Sequence, residues 1–166
     1  MFEGVMTPPS LLIAWHSRTG ASEALARAAK DGAGEAGNLL WAGDVEPDHL
    51  LEAQGYLFVC PENLATMSGL MKEMFDRCYY PVLGRIEGRP FATLIAAGSD
   101  GEGAQRQIDR IATGWRLKRI AEPVIVKTFA QTPEEIMAHK SLGKADIEQA
   151  FQLGQGFGEG LTEGIF

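Results

Sequence analysis

Leu11-Leu12-Ile13-Ala14-Trp15-His16-Ser17-Arg18-Thr19-Gly20-Ala21-Ser22 is the stretch on which the fold turns. Its first five residues form an apolar run about the length of one buried strand, and the polar turn that follows enters a helix within a few residues. Ala21, Ala24, Leu25 and Ala28 recur at helical spacing, and the glycine-rich DGAGEAG of residues 31–37 closes that helix. The same alternation continues outward. Apolar runs at Asn38–Ala42, Tyr56–Cys60, Phe91–Ala97 and Pro123–Thr128 alternate with longer amphipathic stretches. The pattern predicts an α/β fold, a three-layer doubly wound sandwich in which a five-stranded parallel sheet is covered by helices on both faces.

The helices between these strands carry unequal signals. Pro47–Glu52 is short. Leu70, Met71, Met74, Phe75 and Cys78 form a clear stripe, and Ile108, Ile111, Ala112 and Trp115 form another. Tyr79 and Tyr80 end the first of these helices ahead of Pro81, in positions suited to packing or a dimer contact. Thr132-Pro133-Glu134-Glu135 combines an N-cap, a proline at the first helical position and a glutamate at the third. It opens a helical region from Pro133 to Leu153, with a break allowed near Gly143. The last residues, GQGFGEGLTEGIF (154–166), read as a mobile or edge-bound tail because of their glycine content. The expectation is a single domain over 1–166 with its core at about 10–153.

Composition narrows the function. At 166 residues, 45% hydrophobic and 22% charged, the chain fits an ordinary globular domain rather than a disordered, collagenous or membrane class. A net charge of −7 opposes the phosphate attraction on which nucleic-acid binding rests. The acidic excess is concentrated in residues 1–60, so cations for any anion site are expected from the later part of the chain. Cys60 and Cys78 lie in apolar stretches, and the start, MFEGVMTPPS, lacks the pattern of a leader; both point to a cytoplasmic setting. Leu11–Trp15 and Tyr56–Cys60 are far shorter than the roughly 20 residues of a membrane span.

Ligands on such sheets bind beyond the carboxyl ends of the strands. In the loop Ser17-Arg18-Thr19-Gly20-Ala21-Ser22, the hydroxyls of Ser17, Thr19 and Ser22 converge with successive backbone amides at a helix N-terminus, a cradle for phosphate. Gly20 admits close backbone approach, and Arg18 lies in solvent or beside the ligand. The competing reading is that the hydroxyls merely cap the helix. The loop lacks the length and the lysine of G-x-x-x-x-G-K-[ST]. Gly32 to Gly37 matches G-x-G-x-x-G in letters only, because it follows a helix and precedes a strand, the reverse of the context that motif requires.

HSRTGAS after the first strand resembles the phosphate loop of flavodoxin-like flavoproteins, of the form [ST]-x-T-G-x-[ST]. Pro61-Glu62-Asn63-Leu64-Ala65-Thr66-Met67-Ser68-Gly69, with Lys72 and Asp76, is similar to the corresponding segment of NAD(P)H-dependent FMN reductases. The resemblance spans roughly residues 10 to 153. It implies the strand order 2-1-3-4-5, with FMN holding its phosphate at Ser17 to Ser22 and its ring between the loops after the third and fourth strands. Those loops are Pro61 to Gly69 and Gly98-Ser99-Asp100-Gly101-Glu102-Gly103. Amides near Asn63 to Thr66 suit the polar edge of a flavin, Leu64 and Met67 suit its ring, and glycines 98, 101 and 103 allow close approach. The competing reading is turn chemistry with Ser68 or Asp100 as a helix cap. Neither loop carries an aromatic residue, a departure from many relatives.

Other reactive residues lack partners. His16, His49 and His139 are widely separated and no metal site follows from their spacing. Cys60 reads as a small core residue. Arg106, Arg110, Arg116, Lys118 and Arg119 form the densest basic segment, read as a solvated face or as an attractor of nicotinamide phosphates or an acidic partner. The resemblance therefore implies an FMN oxidoreductase that takes hydride from NAD(P)H and reduces a quinone, flavin or other small acceptor. Its rivals are a flavodoxin-type one-electron carrier docking onto a redox protein, and a flavin-free binding module of the same fold. A homo-oligomer is compatible with either.

Overall fold

Leu11 to Ala14, Tyr56 to Cys60 and Phe91 to Ala97 are buried throughout, as strands covered on both faces must be. A computed structural model describes residues 10–166; apart from Ser10, the start MFEGVMTPPS lies outside the described residues. The chain runs β1 (Leu11–Trp15), α1 (Ala21–Ala33), β2 (Gly37–Trp41), α2 (Pro47–Glu52), β3 (Gly55–Asn63), β4 (Thr66–Met67), α3 (Gly69–Val82), β5 (Pro90–Ala97), α4 (Glu102–Gly114), β6 (Lys118–Arg119), β7 (Val124–Lys127), α5 (Pro133–Met137) and α6 (Lys144–Glu163). β1 pairs in parallel with β2 on one side and β3 on the other, and β3 pairs in parallel with β5. The fifth position is split: β6 pairs with the first residues of β5 and β7 with its last. The five positions thus follow the expected order, 2-1-3-4-5, with the edge strand in two pieces.

Alternate residues of each strand face opposite layers. Leu12, Ala14, Tyr56, Phe58, Cys60 and Ile95 meet Leu50 of α2, Met71, Met74 and Phe75 of α3, and Ile108 of α4. Leu11, Ile13, Leu57, Val59, Leu94 and Val126 meet Leu25 and Ala29 of α1 and Ala150 and Phe157 of α6. The sheet is therefore the middle layer, and every strand-to-helix loop of β1, β3 and β5 opens at one edge of it.

Four expectations are corrected. The glycine-rich tail is the second half of α6, packed on α1, because its glycines supply closeness rather than slack. A Cβ at Gly154 would overlap the backbone of Ala29, and one at Gly32 would overlap the backbone of Phe151. The helical region expected from Pro133 to Leu153 does break at Gly143, the N-cap of α6, but its first part already ends at Met137. The capping box at Thr132 forms as predicted, with Thr132 Oγ1 accepting from Glu135 N at 3.2 Å, but the chain turns extended at Ala138 (ψ 149). α3 does not end before Pro81; it runs through it to Val82. Finally, β3 does not stop at Cys60. It continues to Asn63 and folds back on β4 as a hairpin.

Candidate functional site

The loop after β1 closes on itself and leaves the start of α1 without a side-chain cap. Gly20 sits in the left-handed region (φ 103), and its N–H donates to Ser17 Oγ at 3.0 Å. That bond closes the turn, and α1 has no side-chain cap. Of the three hydroxyls only Ser17 bonds at the helix start, to the N-cap amide itself, and the amides of the first turn carry the positive end of the helix dipole. Ser22 is 1% exposed and its hydroxyl has no hydrogen-bond partner among the described residues. Such a group costs free energy unless a ligand or water satisfies it. Ser17, Arg18, Thr19, Ala21 and Ser22 all line one cleft, which continues over Pro61, Glu62 and Asn63, past Ala96, Ala97 and Gly98, to Thr128, Ala130, Ile136 and Lys140.

The loop after β3 is tied to the one after β5 by Glu62. Its carboxylate accepts from Gly101 N at 2.8 Å and from Ala104 N at 3.1 Å, so a side chain of the protein occupies the N-terminus of α4. Gly101 and Gly103 consequently serve the hairpin; a Cβ at Gly103 would overlap the carbonyl of Ala65. Met67 N donates to Gln107 Oε1 at 2.8 Å, a second tie. Of the two side chains expected against a ring, Leu64 projects into solvent at the hairpin tip, 97% exposed, and Met67 is buried in the core. Ser99 and Asp100 are exposed outside the cleft, with Asp100 Oδ1 accepting from Glu102 N at 3.3 Å.

Leu64 (φ 53) and Ala65 (φ 64) both occupy the left-handed region, which a two-residue hairpin turn of this hand requires and which asparagine-glycine fits far better. Replacing the pair by Asn-Gly is expected to raise stability by about 1 kcal/mol. Urea unfolding checks this, and an unchanged midpoint would contradict a strained tip.

His16 and Ser68, at the bases of the first two loops, are joined by a 2.8 Å hydrogen bond between Nδ1 and Oγ. Ser68 is fully buried, and burial holds the His16 imidazole below its usual pKa. The sign follows. As pH falls below about 6.5, the unfolded chain takes up a proton that folded His16 resists, so stability drops. A His16→Gln variant is expected to lose part of the stability difference between about pH 7.5 and 5.5, measured by denaturant titration; an identical difference in both proteins would refute this.

The segment after β7 was not legible as part of the site. Thr128 N donates to Ala97 O and Phe129 N to Gly98 O, each at 2.8 Å. Lys140 N donates to Thr19 O, also at 2.8 Å. The sequence held only the N-cap of α5 as a signal here, because these contacts join distant parts of the chain. Phe129, 70% exposed with φ 58, lies between Thr128 and Ala130 of the cleft lining without lining it itself.

The remaining candidates lie away from this cleft. Arg119 bonds Asp109 at 2.5 Å and Thr93 Oγ1 at 3.1 Å, and its guanidinium lies 4.7 Å from the Phe91 ring centre. Arg110 and Arg116 line a separate shallow surface at the end of α4, and Tyr79 stacks on Trp115. Burial pushes the Cys60 thiol up to about 12, so it is an inert core group. Among the described residues, no three His, Cys, Asp or Glu side chains are grouped to hold a metal, and no helix is long and apolar enough to cross a membrane.

Comparison with known proteins accords with this geometry. A family profile described as NADPH-dependent FMN reductase matches residues 47–130, from α2 to beyond β7. A flavodoxin from the domain Archaea is similar in structure, with 18% identity, 92% of this chain and 98% of that one covered, and a TM-score of 0.74. The rubredoxin oxygen:oxidoreductase of Desulfovibrio gigas shows 17% identity and a TM-score of 0.73 over 94% of this chain. This chain spans only 37% of that protein's length. A protein of P. pentosaceus described as an NADPH-quinone reductase gives 13% identity, 90% and 97% coverage and a TM-score of 0.64. No curated protein matches the sequence. At these identities the structural likeness is one of fold, and the fold is flavodoxin-like.

Proposed function

We propose that this chain, which belongs to the NADPH-dependent FMN reductase family, binds FMN in the cleft at the carboxyl ends of β1, β3 and β5. There it passes electrons from NAD(P)H to a quinone, a flavin or another small acceptor. The observation that carries the reading is the buried, unpartnered Ser22 hydroxyl beside the uncapped start of α1. A phosphate monoester matches that donor set in charge and in number of acceptors. When bound, FMN would supply the hydride and electron chemistry. Ser17, Thr19, Ser22 and the loop amides would hold the phosphate. Glu62, fixed on α4, and the Asn63 and Gly98 backbones would position the ring.

A one-electron carrier is the second reading. It is favoured by the acidic charge and by exposed Leu64, Phe129, Ile136 and Met137 near the cleft, which suit a protein partner. Two measurements separate the readings. Flavin fluorescence on titrating the apoprotein with FMN is expected to be quenched at near one equivalent, and the complex is expected to oxidise NADPH steadily with a quinone. A holoprotein without turnover would leave the carrier; no FMN binding would leave a flavin-free module.

A further inference from the structure

The phosphate loop is not alone at its end of the cleft. The segment joining β7 to α6 crosses it as a strap, fixed by the hydrogen bond from Lys140 N to Thr19 O. The His139 imidazole fills the space beside Gly20 that a side chain there would need. Lys140 lines the same cleft as Ser17, Thr19 and Ser22. Its ammonium donates to the carbonyls of Glu135 at 2.7 Å, Ile136 at 3.0 Å and Ala138 at 2.7 Å, the free acceptors at the end of α5. All three acceptors are neutral and exposed, and Lys140 forms no ion pair among the described residues.

Two other charges line the cleft, and they differ from Lys140 in setting. Glu62 is held by the α4 amides, and the Arg18 guanidinium, exposed, reaches toward Met137 Sδ at 3.8 Å. A dianionic phosphate entering an acidic protein therefore meets hydroxyls, amides, the exposed Arg18 and the Lys140 ammonium, whose hydrogen-bond partners are all neutral carbonyls although the Glu135 carboxylate is near enough to feel its charge. An ammonium that exchanges carbonyl oxygens for phosphate oxygens gains a charge-assisted bond, and water can take over the exposed carbonyls.

We propose that Lys140 supplies the counter-charge to the cofactor phosphate and makes the site select a phosphorylated flavin over riboflavin. The assignment rests on the FMN reading above and adds to it a residue outside the first loop and outside the matched family span. It also gives the strap a role: Lys140 and His139 are carried to the loop by a segment whose own fold ends at α5.

The test uses fluorescence titration of the full-length apoprotein with FMN and with riboflavin, for wild type, Lys140→Met and Lys140→Arg. Lys140→Met is expected to weaken FMN by about tenfold or more while leaving riboflavin within about twofold. Between about 20 and 300 mM salt, the FMN affinity of wild type should fall more steeply than that of the variant. Lys140→Arg should keep most of the FMN preference. Equal losses for both flavins would show that Lys140 only holds the strap, and unchanged binding of both would show that it does neither; each overturns the proposal while the FMN reading stands. Wild-type protein that binds neither flavin overturns the FMN reading, and this assignment with it.

Discussion

Gly154→Val is expected to lower stability by about 3 kcal/mol or more. The reason is backbone contact between helices. A Cβ at Gly154 would overlap the carbonyl oxygen, the carbonyl carbon and the Cα of Ala29, none of which can rotate away. Gly32 faces the backbone of Phe151 and Gln155 in the same way, so α1 and α6 approach more closely than side chains permit. Helix propensity alone predicts the opposite sign, since glycine to alanine in a helix gains up to about 1 kcal/mol. Gly156, exposed in the same helix with nothing near its missing Cβ, provides the control. Gly156→Ala should therefore stabilise and Gly154→Ala destabilise, as urea midpoints would show; a neutral or stabilising Gly154→Ala would mean that the two helices are free to move apart.

That pair of glycines also marks where the sequence was misleading. Glycine content is a local property and normally signals slack, whereas the packing of α6 on α1 depends on Ala29 and Gly32 far earlier in the chain. The buried strands were legible because burial on both faces demands unbroken apolar runs, as in Tyr56–Cys60 and Phe91–Ala97. The start of α5 was legible because the Thr132 and Glu135 side chains accept from each other's backbone amides three residues apart and Pro133 suits the first helical position. The phosphate-type loop was legible for a similar reason, its donors all falling between Ser17 and Ser22. What supports that loop was not. Glu62 bonding the start of α4, and Lys140 bonding Thr19, are contacts between elements that only the assembled sheet brings together. The extension of β3 to Asn63 escaped notice because Leu64-Ala65 lacks the residues that ordinarily announce a tight turn.

Replacing Thr19 and Ser22 together by alanine is expected to weaken FMN binding by on the order of 2 to 4 kcal/mol, roughly 30- to 1,000-fold, with riboflavin little affected. Both hydroxyls line the cleft, and neither caps α1, so their loss removes donors to the phosphate without unravelling the helix. The free protein should respond in the other direction. Ser22 Oγ is buried without a partner, and exchanging it for a methyl group removes an unsatisfied polar atom, so apoprotein stability should hold or rise by up to about 1 kcal/mol. The FMN-induced rise in Tm should shrink in the variant, because a ligand stabilises in proportion to the logarithm of its concentration over its Kd. A variant with weaker FMN binding and an apoprotein at least as stable as wild type would identify Ser22 as a group held in the fold at a cost for the sake of its ligand. Unchanged FMN affinity would remove the phosphate from this loop, and a destabilised apoprotein would mean that the Ser22 hydroxyl is already satisfied within the fold.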